Sequence, residues 1–197
     1  MSRNICVFAS SCNYLDESYY PVAAKLGELL AKSGFNMVYG GSSLGLMWAC
    51  AEQVKKYGGK IYGVMPEKLY NMGVSTDECV DLTVTPCMRT RKAKMDELSD
   101  GVVALPGGFG TLEELSEMIV QKQLGYNNKP VIILNTNGFY NKLIEFFDVI
   151  IKEKFANHKL CENLYYVAQT PEEAVEYLVK YDYTAKSEVS SSSIYTR

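Results

Sequence analysis

Histidine is almost absent from this chain: His158 stands alone among 197 residues. A Ser-His-Asp or Cys-His mechanism would have to run through Phe155-Ala156-Asn157-His158-Lys159, a polar segment with no nucleophile motif. We read His158 as a surface residue. Clustered cysteine is absent too: Cys6, Cys12, Cys50, Cys79, Cys87 and Cys161 are scattered with no C-x-x-C pair. This argues against a zinc centre or a disulfide framework, so no metal is expected and most cysteines should be small buried hydrophobes. There is no basic excess either; a net charge of -3 and a pI near 5.3 speak against nucleic acid and for a small ligand. No hydrophobic run is long enough to span a bilayer, and the apolar stretch in MSRNICVFASSC is too short for a signal-peptide core. A cytoplasmic location without membrane association is the expectation.

What the chain has in quantity is short apolar runs alternating with helix-period segments. Ile5 to Ala9, Asn36 to Tyr39, Lys60 to Met65, Cys79 to Val84, Val102 to Leu105, Val131 to Leu134 and Tyr165 to Val167 read as strands. Helices are expected over about Ser18–Lys32, from the glycine-rich stretch after Tyr39 to about Tyr57, and over Met88–Leu98, Thr111–Leu124 and Tyr140–Lys152. A last one is introduced by Thr170-Pro171-Glu172-Glu173. Continuous apolar strands separated by amphipathic helices indicate an α/β fold, a Rossmann-like doubly wound parallel sheet covered on both faces. One domain over residues 1–183 is expected, followed by a Ser-rich tail, 184–197, with little to bury.

In such sheets ligands bind beyond the carboxyl ends of the strands, so the loops after strands carry the chemistry. Three stand out. Ala9-Ser10-Ser11-Cys12 offers hydroxyls, Ser10 among them, although polar loop residues are common. Gly40-Gly41-Ser42-Ser43-Leu44-Gly45 combines glycines for close approach with hydroxyls that can donate to an anion; a tight turn with a helix cap is the plainer reading. In Leu105-Pro106-Gly107-Gly108-Phe109-Gly110-Thr111-Leu112-Glu113-Glu114-Leu115, the glycines permit a backbone nest and Thr111 is a natural N-cap, so the N-H groups after it would face a phosphate. The stretch is neither a dinucleotide fingerprint nor a Walker A loop. Two glutamates beside an anion site are unexpected. Spacing leaves two readings of Glu114: the far end of a T-x-x-E capping box, or a carboxylate with chemistry of its own.

Upstream, the stripe Met88, Met95, Leu98 carries Arg91, three residues after the first methionine and four before the second. Arg91 should therefore lie inward or at a pocket edge, where a cation needs an anion. A structural salt bridge, a ligand phosphate and a site carboxylate such as Glu114 all satisfy that need.

These residues bring a family into view. The sequence resembles the LOG ("Lonely Guy") proteins, cytokinin riboside 5'-monophosphate phosphoribohydrolases often mislabelled as lysine decarboxylases. The motif P-G-G-x-G-T-x-x-E is met by Pro106, Gly107, Gly108, Gly110, Thr111 and Glu114. Further matches run from about Ile5 to Phe155, through Tyr39-Gly40-Gly41, Gly45-Leu46-Met47, Gly63-Val64-Met65-Pro66-Glu67, Arg91-Lys92-Ala93 and Gln123-Leu124-Gly125. The second motif, usually Met-x-Glu-Arg-Lys, departs at Thr90, which stands where a glutamate is expected, and Arg89 adds a cation. The resemblance implies hydrolysis of the N-glycosidic bond of N6-substituted adenosine 5'-monophosphates. Arg91 and Glu114 would be catalytic. Ser10, Gly41, Ser42, Ser43, Met88, Lys92, Gly107, Gly108, Gly110 and Thr111 would bind the nucleotide and its phosphate. No cofactor is implied, and a homodimer or dimer-based oligomer is. A catalytically silent nucleotide carrier is the alternative, and amino-acid decarboxylation is rejected because nothing marks a cofactor lysine. Met88, Met95 and Tyr126 are candidates for the base pocket, with core packing as the plainer explanation.

Overall fold

The computed structural model describes residues 2–185, so nearly all of the expected Ser-rich tail lies outside the described residues. Seven parallel strands form one sheet: β1 (Asn4–Phe8), β2 (Asn36–Tyr39), β3 (Ile61–Pro66), β4 (Asp81–Thr85), β5 (Gly101–Ala104), β6 (Val131–Leu134) and β7 (Tyr166–Ala168). The order β4-β3-β2-β1-β5-β6-β7 reverses direction between β1 and β5. The helices are α1 (Tyr19–Lys32), α2 (Gly45–Lys56), α3 (Glu67–Tyr70), α4 (Met88–Leu98), α5 (Phe109–Gln123), α6 (Asn141–Lys152), α7 (His158–Cys161) and, after the last strand, α8 (Pro171–Lys180). Of these, the one-turn helices α3 and α7 lie in segments where no helix is legible.

Alternation along the strands sorts the core into two layers. Ile5 and Val7 of β1 pack with Leu26, Leu30, Leu46 and Leu178 under α1, α2 and α8. Cys6 and Phe8 face the other way, with Met95, Leu115, Met118 and Tyr140 under α4, α5 and the start of α6. Close approach of α1 and α2 depends on Gly27, where an added Cβ would lie 2.1 Å from the Cys50 carbonyl oxygen. The expectation of buried cysteines holds for Cys6 and Cys50 but fails for Cys12 and Cys87, which are exposed in loops that follow strands. His158 is a surface residue, its side chain 75% exposed beside Glu162.

This layering decides where the chemistry sits. Val7 pairs with Val103 and Phe8 with Ala104, so β1 and β5 end side by side and the loops after them emerge together. Ser10 N-H donates to the Pro106 carbonyl at 3.1 Å and ties the two loops. They leave the sheet at the point where its strand order reverses, the usual place for a ligand in open parallel sheets.

Candidate functional site

A cleft of about 430 Å³ opens at this switch point. It gathers Ser10 from the first loop, Ser42 from the second, Met88 and Arg91 from α4, and Gly108, Gly110, Thr111 and Glu114 from the third loop and α5. Leu44, Met47, Met65, Leu69 and Val74 make its walls largely apolar.

Thr111 is not the N-cap of its helix. α5 begins at Phe109, two residues earlier than expected, because the extended Gly108 takes the N-cap position with no side chain closing the end. Thr111 is thus the third helical residue, 4% exposed, and Glu114 is the sixth, so the capping box does not form. Gly107 makes room for this start: a Cβ there would lie 2.1 Å from the Thr111 hydroxyl. The first helical bond is Leu112 N-H to the Gly108 carbonyl, 3.0 Å. The N-H groups of Phe109, Gly110 and Thr111 precede it and lack intrahelical partners. At Gly108 and Gly110 an added Cβ would meet nothing within 4 Å, so the helix end is open to a ligand.

The second glycine loop differs. The N-terminal N-H groups of α2 are already taken: Gly45 donates to Asn13 Oδ1 at 2.8 Å, and Leu46 to the Ser10 carbonyl at 2.9 Å. Gly41, at φ 74°, packs against Gly63 and Leu82, and Ser43 is exposed; neither lines the cleft. Ser42 does, and its buried hydroxyl has no hydrogen-bond partner. An unpaired hydroxyl in a ligand-sized cleft is an unmade bond awaiting a partner.

Arg91 lies inward as the methionine stripe requires. Its Nη1 donates to Glu114 Oε1 at 2.6 Å and its Nε to the Val64 carbonyl at 3.0 Å. Both side chains of the pair are nearly buried, at 10% and 9% exposure. Gly40 admits the guanidinium: a Cβ there would come within 3.0 Å of Nη2. Burial pushes the Glu114 carboxyl above its usual range, while the charge and hydrogen bond of Arg91 pull it back. Lys92 points elsewhere. Its ammonium pairs with Glu113 at 2.7 Å and Glu117 at 2.6 Å, outside the cleft lining. Of the base-pocket candidates only Met88 reaches the cleft; Met95 is core and Tyr126 is 79% exposed.

Thr90 acts locally. Its hydroxyl donates to the Cys87 carbonyl at 3.0 Å and takes the Cys87 N-H at 3.2 Å, closing the first turn of the helix that carries Arg91. Sequence reading did not find this role, nor that of Asn13, although Asn and Thr are the residue types that cap helices.

A family model described as "Possible lysine decarboxylase" matches residues 47–178. A rice (Oryza sativa subsp. japonica) protein named probable cytokinin riboside 5'-monophosphate phosphoribohydrolase is 38% identical over 91% of this chain and 71% of its own length. The chain belongs to the LOG family. An Arabidopsis thaliana member, named cytokinin riboside 5'-monophosphate phosphoribohydrolase, shares 38% identity over 91% of this chain and 83% of its own. Among solved structures, a molybdenum cofactor binding protein from Rippkaea orientalis superposes with a TM-score of 0.67 at 27% identity, covering 90% of this chain and 96% of that one. The molybdenum cofactor carrier protein of Chlamydomonas reinhardtii gives 0.70 at 24% identity over the same shares, a likeness of fold alone. LOG-family sequences and carrier structures thus share this Rossmann-like sheet.

Proposed function

We propose that this protein hydrolyses the N-glycosidic bond of N6-substituted adenosine 5'-monophosphates, giving the free base and ribose 5-phosphate. One observation carries the reading: a buried carboxylate, Glu114, sits in the same cleft as an open helix N-terminus. Gly110, Thr111 and Glu114 share one face of α5, four and three residues apart, so Glu114 follows the anion cradle by about one helical turn, roughly 5 Å along the axis. A 5'-phosphate held by the N-H groups of Gly110 and Thr111 and by the Ser42 hydroxyl brings the ribose over Glu114. The base departs with the C1'-N bonding pair and its nitrogen takes a proton from solvent, leaving positive charge on the sugar; the water whose oxygen then bonds to C1' gives its proton to Glu114, which returns it to solvent. Glu114 stabilises that charge and directs a water oxygen to C1'. Arg91 keeps Glu114 ionised in a buried setting. Leu69, Val74 and Met88 form an apolar end suited to a base with an apolar N6 substituent. The names of the relatives agree with this activity.

Decarboxylation draws no support from the site, since among the described residues no lysine lines the cleft. The buried Lys122, whose burial brings its ammonium down to about 8, contacts Tyr181 instead. A silent carrier would need the cradle but has no use for a buried carboxylate one turn away.

The phosphate requirement is testable. Rates of base release from a 5'-monophosphate and from the matching nucleoside should differ by about 100-fold, the worth of charge-assisted hydrogen bonds. Equal rates would remove the cradle from the account.

We also infer a homodimer. α6 buries none of its residues, and Phe146 and Val149 are 58% and 47% exposed beside an apolar groove against α5. A second copy covering this face would brace the helix that carries Glu114. Sedimentation should give twice the 22.1 kDa chain mass, and Phe146→Glu should halve it; a monomeric wild type refutes the inference.

A further inference from the structure

α4 and α5 are joined by more than the Arg91–Glu114 pair. Lys92, the next residue, reaches across to α5 and sits between Glu113 and Glu117, one turn apart. Its side chain is only 14% exposed, unlike the solvated lysine pairs elsewhere on the surface. Behind Glu114, away from the substrate cleft, Lys92, Asp96, Glu117 and Gln121 line a small crevice that Glu114 also borders. Glu114 is therefore exposed to two electrostatic environments, the ligand on one side and this polar seam on the other.

We propose that Lys92 is a positioning residue for the reaction, a clamp that sets α4 against α5 and so fixes both the Arg91–Glu114 contact and the charge state of Glu114. The proposal rests on the hydrolase reading above. It also explains why Glu113 is tolerated beside a phosphate site: Lys92 compensates it from the far side of the helix.

The charged and titratable groups around Glu114 are Arg91, Lys92 and Asp96 on α4, Glu113 and Glu117 on α5, Cys6 on β1, and Lys129, which holds Asp96 at 2.6 Å. After burial and Arg91, the largest influences on the Glu114 carboxyl are Glu113, which raises it, and Lys92, which lowers it. Removing the lysine takes away the lowering charge and frees Glu113, so both changes push Glu114 toward its protonated form.

The test is a ¹³C NMR titration of the Glu114 side-chain carboxyl in the wild type, Lys92→Met, Lys92→Arg and Glu113→Gln, with kcat and KM measured against pH. In Lys92→Met the carboxyl should titrate at higher pH than in the wild type, and the acid limb of kcat should move with it. At neutral pH kcat should fall about 10-fold or more with KM changed by less than about 3-fold. Lys92→Arg should restore the wild-type titration, and Glu113→Gln should move it to lower pH. An unmoved titration in both Lys92→Met and Glu113→Gln would overturn the clamp. A raised KM with unchanged kcat would do so too, by making Lys92 a direct ligand of the substrate. A wild type that titrates as described but releases no base would count against the hydrolase reading and leave the clamp standing.

Discussion

Glu114→Gln should lower kcat by about 10³-fold or more while leaving KM near the wild-type value, and it should also lower the melting temperature because the buried Arg91 loses its anion. Gln keeps the volume of the side chain and still offers Arg91 an acceptor, so the packing of two buried groups is retained. What disappears is the negative charge that stabilises an oxocarbenium-like sugar and draws the proton from water. Full activity with only the melting temperature lowered would be the mark of a helix cap. Glu114 is not placed to be one, because α5 starts at Phe109 and its N-cap is Gly108. The same carboxylate sets the pH dependence. Burial raises it above the ordinary 4.5 of glutamate, so the acid limb of kcat should fall above that value, and activity should decline as pH drops through it.

Arg91→Ala should abolish turnover and destabilise the fold together. Removing one member of a buried ion pair leaves an uncompensated charge, which costs about 3–5 kcal/mol. It also strips the Val64 carbonyl of its donor. Without the lowering influence of Arg91 the Glu114 carboxyl should rise further above the ordinary 4.5 and take up a proton. A carboxyl raised in this way favours the folded state fully below 4.5 and loses that contribution as pH rises through the folded value. The destabilisation relative to wild type should therefore be small in acid and grow toward neutral pH. Urea denaturation at several pH values measures it; a deficit independent of pH would mean that Glu114 keeps its charge without Arg91. Arg91→Lys, retaining a cation but losing the Nε bond to Val64, should fall between the two.

Much of the architecture is legible in the sequence because the relevant signals are local. Apolar runs of four or five residues become the central strands, buried on both faces, while the edge strands β4 and β7 are only partly buried, and the methionine stripe with Arg91 on it becomes α4 with the bounds Met88–Leu98. The inward position of Arg91 follows from helical spacing alone. Other features depend on contacts that no local pattern encodes. Thr111 looks like an N-cap, yet Gly108 can take the extended conformation and the helix starts there instead. Asn13 accepts the Gly45 N-H from 32 residues away, so the start of α2 is occupied and only Ser42 of that glycine loop faces the cleft. Lys92 follows Arg91 in sequence but points from another face of the helix, and only the packing of α4 against α5 shows that it meets Glu113 and Glu117. Ser42 reads as one hydroxyl among several until burial shows it to lack a partner.

The bond expected to break is the N-glycosidic one. Purified protein incubated with N6-isopentenyladenosine 5'-monophosphate, with adenosine 5'-monophosphate alongside, and resolved by chromatography with mass detection, should yield free base and ribose 5-phosphate in equal amounts. Release of the nucleoside and inorganic phosphate, or recovery of both nucleotides bound but intact, would contradict it.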